Sequence, residues 1–461
     1  MVIANVIRQP NYINKRNGRF LLIWRDVPHW MVVDEEVVTF LRMLDGTKSF
    51  KEIITILCDT FESSYEKKYQ EANNLLRILK KAGLVKNEEK KNTLAPISPV
   101  IENITINITN RCNFRCTHCF VSDSDRRKDL LDLEHFKQFL KEANDHLASN
   151  LNFAILGGEP LLQKEKTLEI ARIGKEKKIE VIVSTNGSLV DDDFAKKAKK
   201  AGLVVQISME GATSDINDSI RGNGSFIKAK RGVECLVSHR VYTILSMVVQ
   251  KLNYHQINDF YNLGRNLRVN EIRFIQLKRM GRAREGDLEP VSNIELLNAI
   301  NILKKNNPGA KKYLKRDYHT IMKTICSISN RRAYCGTGLK TLLIDSDGEV
   351  FPCPNHNLPE FACGNIKDKS FQEIWLKSPI LNKVRNTYHI DKINSECPSC
   401  SVKYWCMGGC RGETYENTSN MRSKAVGCED IRNTIIETFW MLSENKVFPI
   451  RSKNNRRTEF F

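Results

Sequence analysis

The sequence predicts an α/β chain built on a parallel sheet, with a small α+β unit before it and a cysteine-rich unit after it. Three observations carry this reading. Between residues 101 and 310, short apolar runs alternate with segments of helical periodicity, the mark of strand–helix units in a parallel sheet. Glycine-bearing polar motifs follow the ends of successive runs, where a curled sheet of such units collects its functional residues. The 14 cysteines are bunched, with three at 112–119 and, leaving Cys363 apart, seven more between 335 and 428. Six strand–helix units fit a partial (β/α)6, TIM-like barrel.

Residues 1–90 read as a winged-helix-like domain. Arg19–Trp24 and Trp30–Val33 alternate as two strands about a turn at Asp26 and Pro28. Asp34 caps a helix carrying Val37, Val38, Leu41 and Leu44, which Gly46 ends. Ser49 caps a second helix, and a third runs from about Ser64 to Lys81 and stops at Gly83. Only Leu84 and Val85 are left for a closing strand, which must be very short. The charged run Asn87–Thr93 and the proline-bearing stretch Ala95–Pro99 then place a linker at 91–100.

In the barrel region the expected strands are Ile104–Ile108, Phe153–Leu156, Glu180–Ser184, Val204–Ser208, Tyr242–Val249 and Glu271–Gln276. Helices are expected at Leu133–Leu147, Lys164–Lys177, Asp192–Ala201, Phe226–Val237 and Ile257–Leu267. A cysteine-rich domain at 320–435 and a C-terminal helix with a basic tail at 436–461 complete the chain.

Composition narrows the function classes. Neither a signal peptide nor an apolar run of membrane-spanning length is present, so a cytoplasmic location is expected. There, clustered cysteines point to metal binding or redox chemistry, not disulfides. The net charge of +18 comes mostly from Lys interleaved with Asp and Glu on helical segments. Such patterning describes solvated faces and gives little support for nucleic acid; an anionic peptide is equally compatible.

The most informative run is Cys112-Asn-Phe-Arg-Cys116-Thr-His-Cys119, just after the first barrel strand. Three thiolates can hold three irons of a four-iron cluster and leave the fourth open to a small molecule. Zinc is the competing reading, with His118 as a fourth ligand. However, His118 adjoins Cys119 and reaches the same ion poorly. Later strands are followed by Gly157-Gly158-Glu159-Pro160, by Ser184-Thr-Asn186-Gly, by Ser208-Met-Glu210-Gly, and by Arg221-Gly-Asn-Gly. Paired glycines let backbone approach a ligand, a carboxylate accepts from an ammonium, and Arg221 suits a small carboxylate. Together they suit an amino acid joined to a nucleoside.

On these motifs, residues 101–310 resemble a radical S-adenosylmethionine (SAM) enzyme. The resemblance implies that Cys112, Cys116 and Cys119 hold a [4Fe-4S] cluster and act in catalysis. It implies that Gly157, Gly158, Glu159 and Pro160 bind the methionyl amino group. Ser184, Asn186, Ser208 and Arg221 then fall among the ribose and carboxylate contacts. Glu210 stands where many relatives have Asp. The implied reaction is reductive cleavage of SAM to a 5′-deoxyadenosyl radical, which takes hydrogen from a substrate. An electron donor such as flavodoxin or ferredoxin is implied as a partner.

The C-terminal spacing, Cys335, Cys353, Cys397-x2-Cys400-x5-Cys406-x3-Cys410 and Cys428, fits one or two zinc sites or two iron–sulfur clusters, and spacing alone does not choose. Cysteine for cysteine, it is similar to the SPASM extension of radical SAM peptide-modifying enzymes, including Gly348 before Cys353. That resemblance implies two auxiliary [4Fe-4S] clusters, one on Cys335, Cys353 and Cys410, the other on Cys397, Cys400, Cys406 and Cys428. Cys326 is the candidate fourth ligand of the first. Cys58, Cys235 and Cys363 read as buried thiols.

Residues 1–90 resemble the leader-recognition element of the PqqD type, through the paired strands at Arg19–Val33, Asp34-Glu-Glu36 and Leu44-Asp-Gly46. Such modules take a peptide as an added strand. The three parts in this order resemble sactipeptide maturases, particularly the subtilosin A type. The implied function is a maturase of a small ribosomal precursor peptide that forms Cys thioether (sulfur-to-carbon) crosslinks. Alternatives are a sulfatase-maturing type, a carbon–carbon crosslinking cyclase, and a zinc-binding recognition protein without catalysis.

Overall fold

The structure, a computed structural model, describes residues 6–86, 99–121, 129–286, 288–315 and 333–444. Its N-terminal part is an antiparallel sheet of β1 (Tyr12–Arg16), β2 (Arg19–Trp24) and β3 (His29–Val33), in that order. Strand β1 is absent from the sequence-based expectation because Asn14, Lys15 and Arg16 hide its alternation. The signal for it is the turn Asn17-Gly18, whose φ angles of 48° and 72° suit a tight hairpin. Three helices follow, α1 (Glu35–Met43), α2 (Phe50–Phe61) and α3 (Tyr65–Lys81). Asp34 caps α1 by accepting from Val37 N at 2.9 Å, and Ser49 with Glu52 makes a capping box on α2. The closing strand is reduced to a single bridge between Ile7 and Val85.

The run Phe20–Trp24 is apolar throughout because both faces of this sheet are covered. Leu22, Trp24 and Met31 pack on the three helices. The alternate positions Leu21, Ile23 and Val32 pack on Val402, Trp405, Ile435 and Phe439 from the far end of the chain. Trp30 stacks on Phe439 with centroids 4.6 Å apart, and Arg16 pairs with Glu437 at 2.7 Å. The N-terminal unit is thereby docked on the helix Cys428–Glu444. That helix is continuous, so the domain boundary expected at 435/436 falls inside it.

The barrel region alternates as expected: β4 (Ile101–Asn107), α4 (Leu133–Glu142), β5 (Leu147–Leu156), α5 (Lys164–Glu176), β6 (Glu180–Thr185), α6 (Asp192–Ala201), β7 (Val204–Ser208), α7 (Ser214–Arg221), α8 (Ser225–Ser238), β8 (Thr243–Val249), α9 (Ile257–Asn266) and β9 (Glu271–Gln276). Strands β4 to β9 pair in parallel in chain order. Helix α7 is an addition, since no helix is expected from the sequence over residues 214–221. Side chains alternate cleanly. Val181, Val183, Val205, Ile207 and Phe274 enter the outer core, whereas Ser184, Gln206, Ser208 and Arg273 point inward and stay half-buried. The lumen is therefore polar and accessible, while its outer wall carries the core.

The sheet does not end at β4. Strand β10 (Thr341–Ile344) joins it in parallel, pairing Leu342 with Ile104, and β11 (Glu349–Phe351) and β12 (Gly364–Asn365) extend the sheet antiparallel. The result is a nine-stranded sheet in which the cysteine-rich region is continuous with the barrel. Among the described residues, no helix is long and apolar enough to cross a membrane.

Candidate active site

The three-cysteine loop leaves the C-terminal end of β4 and is fastened to the next two strand ends. Gly158 N donates to Thr109 O at 2.7 Å, and Glu159 N to Arg111 O at 2.9 Å. A Cβ on Gly158 would stand 2.1 Å from Arg111 O, and one on Gly157, at φ 126°, 2.2 Å from Thr109 O. The glycine pair is thus dictated by backbone running against the backbone that leads into Cys112.

Glu159 is buried at 1% exposure. Its carboxylate accepts from Leu161 N at 2.9 Å, Thr185 Oγ1 at 2.5 Å and Asn186 N at 2.8 Å. Burial pushes its pKa up, and these hydrogen bonds pull against that shift. Pro160 is also buried and opens the short turn that leads into α5. Asn186 donates to Asn113 Oδ1 at 2.8 Å, and Asn113 donates to Ser188 Oγ at 2.9 Å. Asn113 and Ser188 had no motif to mark them; their role rests on a contact between two loops distant in sequence.

On the other side stands a buried charge cluster. Arg221, the last residue of α7, donates to Glu210 Oε1 through Nε at 3.1 Å and Nη2 at 2.8 Å. Its Nη1 lies 3.9 Å from Cys116 Sγ. His118 Nε2 is 3.1 Å from the same carboxylate oxygen, and Val248 N donates to Oε2 at 2.6 Å. Burial alone would push Glu210 up, but the charges of His118 and Arg221 hold it at about 2. His118 Nδ1 is buried without a hydrogen-bond partner. The imidazole is therefore turned to Glu210 through Nε2. Ser184 accepts from Gln206 Nε2 at 3.3 Å, Gln206 accepts from Arg273, and Ser208 lies opposite Ser246 in register. These residues line the lumen below the cysteine loop.

The cysteines separate into three groups. In the first, Cys112 is exposed, Cys119 half-buried and Cys116 buried, with its thiol pushed up to about 11 by desolvation against the opposing charge of Arg221. In the second, the Thr337 hydroxyl bridges Cys335 Sγ at 3.1 Å and Cys353 Sγ at 3.6 Å, and both thiols feel the charge of Cys410. In the third, Cys406 feels Cys428, Cys400 and Cys397. Cys326 lies outside the described residues. Cys363 is buried, whereas Cys58 and Cys235 are half-exposed, contrary to the expectation for those two thiols.

Among the described residues, no three of these clustered thiols have their sulfurs all within 4.8 Å of one another. The electrostatics around the second and third groups suit an anionic occupant. Arg411 is 1% exposed, and its three hydrogen bonds go to the carbonyl oxygens of Gly408, Met421 and Ser423. A buried guanidinium is costly without an anion nearby, and its charge acts on Cys335 and Cys397.

The barrel centre and the cysteine-rich region are joined directly. Arg282 donates from N to Cys119 O at 2.9 Å and from Nε to Cys116 O at 3.0 Å. The preceding residues are held by the helix that begins after Cys410: Arg279 N donates to Glu413 at 3.0 Å and Gly281 N to Glu416 at 2.7 Å. Sequence gave no hint of this bridge beyond one more glycine after a strand.

Comparison with known proteins matches this geometry. Residues 106–264 match the Radical SAM superfamily model, and residues 335–401 match SPASM, an iron–sulfur cluster-binding domain. The protein is a radical SAM enzyme with a SPASM extension. Its cofactors are accordingly SAM and iron–sulfur clusters. The chain is 26% identical over 386 residues to the antilisterial bacteriocin subtilosin biosynthesis protein AlbA of Bacillus subtilis, covering 80% of this chain and 81% of that one. It is also 26% identical over 347 residues to the cysteine-type anaerobic sulfatase-maturating enzyme of Clostridium novyi, covering 70% and 91%. Among solved structures it resembles Streptococcus suis SuiB bound to precursor peptide SuiA, with TM-score 0.60, 15% identity and coverage of 92% of this chain and all of that one.

Proposed function

We propose that this radical SAM enzyme matures a small ribosomal precursor peptide, gripping its leader with the PqqD-like unit formed by residues 1–90 and joining a Cys sulfur to a carbon of another residue. The observation that carries the reading is the N-terminal sheet seated on the cysteine-rich region, with Leu21, Ile23 and Val32 against Trp405 and Phe439. A module fixed there delivers a peptide to the barrel mouth from a constant origin. Coverage supports it. The solved structure of native anSMEcpe with bound AdoMet is spanned in full by 75% of this chain, whereas SuiB takes 92%. The similarity to AlbA supports the thioether outcome.

In this reading Cys112, Cys116 and Cys119 hold the SAM-binding cluster. Cys335, Cys353 and Cys410 hold one auxiliary cluster, with Cys326 as its further candidate, and Cys397, Cys400, Cys406 and Cys428 hold the other. When bound, these groups and SAM supply a 5′-deoxyadenosyl radical that takes hydrogen from carbon, and an acceptor for the electron left when sulfur bonds to that carbon. The protein orients the cysteine loop through Gly157, Gly158 and Asn186, and places Arg221 beside Cys116. Ser184 and Ser208 present hydroxyls to the lumen, where they would meet bound SAM. The thiol proton of the substrate leaves to solvent, and an electron donor such as flavodoxin or ferredoxin restores the reduced state.

The deciding experiment incubates anaerobically reconstituted enzyme with SAM, a reductant and Cys-bearing precursor candidates. Loss of two hydrogens per crosslink, with a sulfur–carbon bond located by fragmentation, is the expected result. A product in which Cys becomes formylglycine would instead establish the sulfatase-maturating type. A carbon–carbon bond would establish a cyclase.

A further inference from the structure

We propose that Asp192, Cys235 and His239 form a zinc site on the outer wall of the barrel, tying the start of α6 to the end of α8. Asp192 is the first residue of α6; Cys235 lies in the last turns of α8, and His239 is its C-cap. Four residues apart, Cys235 and His239 share one face. A ligand atom from each of the three side chains lies within 4.8 Å of the other two, and this is the only such group among the described residues.

The separations are those of ligands around one ion. His239 Nε2 is 3.4 Å from Asp192 Oδ1, and Cys235 Sγ is 3.9 Å from the same oxygen. Nitrogen and oxygen ligands on tetrahedral zinc stand about 3.4 Å apart, and sulfur and oxygen about 3.6 Å. A direct charge-assisted hydrogen bond would have closed to about 2.8 Å.

The second observation is the imidazole's orientation. His239 Nδ1 lies 2.9 Å from the Cys235 carbonyl oxygen. A carbonyl only accepts, so Nδ1 carries the proton and the lone pair of the neutral ring is at Nε2, facing the other two groups. Metal-binding histidines are commonly held in this way. Asp192 is free for the role because its neighbour Asp191 makes the helix cap and the bond to Lys164. Thiolate, imidazole and carboxylate together select zinc over the harder cations. The fourth position, beside the exposed Asp192, is left for water. None of the three residues faces the lumen, so the site is a staple and not part of the radical chemistry.

The test counts metals in the full protein. Anaerobically reconstituted enzyme is incubated with zinc chloride and desalted, and iron and zinc are measured in the same sample. The expected result is about one zinc per chain. At least tenfold less is expected in Cys235→Ser and His239→Gln, with iron content and SAM cleavage unchanged. A His239→Cys variant should keep its zinc. X-ray absorption at the zinc edge should show a single sulfur neighbour, separating this site from zinc in vacant cluster positions. Should a variant lose iron as well, the wild-type stoichiometry and edge spectrum decide. Zinc absent from the wild type, equal in wild type and Cys235→Ser, or bound by several sulfurs overturns the proposal and leaves an ordinary imidazole–carboxylate pair.

Discussion

Arg221 meets Glu210 at 2.8 Å with one terminal nitrogen and stands 3.9 Å from the Cys116 sulfur with the other. The buried carboxylate thus fixes the guanidinium that faces the cysteine loop. Replacing one member of a buried pair while leaving the other charged costs about 3–5 kcal/mol. Glu210→Gln should lower the melting temperature of the reconstituted protein markedly and reduce SAM cleavage. Unchanged melting and 5′-deoxyadenosine formation would show that Arg221 does not depend on Glu210.

Gly158→Ala tests the backbone contact beneath the cysteine loop. The new Cβ would stand 2.1 Å from Arg111 O, so one of two backbone segments has to move. SAM cleavage should fall by at least tenfold, and iron content should drop by about one four-iron cluster. Full iron with full cleavage would mean that the loop adjusts freely.

Replacing Cys112, Cys116 and Cys119 together with Ala should abolish 5′-deoxyadenosine formation while sparing the other two cysteine groups. Iron should fall from about twelve to about eight per chain. Retained cleavage would refute the assignment of the site.

Trp30→Ala probes the docking of the N-terminal unit through its stack on Phe439 at 4.6 Å. An aromatic pair contributes about 0.5–1.5 kcal/mol beyond its buried area. Peptide turnover should fall while SAM cleavage without peptide persists, as measured by the ratio of crosslinked product to 5′-deoxyadenosine. An unchanged ratio would dissociate docking from delivery.

Burial holds the His29 imidazole down at about 4. Its pKa in the unfolded chain is about 6.5, so only the unfolded state gains a proton between those values. Stability from this residue is complete above pH 6.5 and declines as pH falls toward 4, by at most about 1.4 kcal/mol per unit. His29→Gln should flatten the pH dependence of the denaturation midpoint over that window; parallel profiles would exclude the effect.

The strands of the barrel and the cysteine spacings were legible because both are local patterns. Alternation at Val181, Val183 and Val205 is short-range, and so is the interval from Cys112 to Cys119. What sequence could not supply were relations between distant segments. Gly158 reads as a ligand-approach residue until Arg111 O is found beside it. Glu159 reads as an ammonium acceptor, yet Leu161, Thr185 and Asn186 all bond to its carboxylate. Helix α7 is short and polar, so the apolar pattern does not mark it. The pairing of His118 with Glu210 required the fold itself.

The pairing of β10 with β4 has a consequence for how the chain matures on the ribosome. The strand that carries the cysteine loop is the first of the barrel to be synthesised, and its outer neighbour, residues 341–344, is among the later segments. Until that neighbour emerges, β4 is an open edge with unpaired amides, a template for wrong partners. Contacts of such sequence separation also form slowly. Sealing of the nascent barrel therefore waits on the cysteine-rich region, so a chain truncated before residue 341 should be aggregation-prone even though all six strands of its barrel have been made.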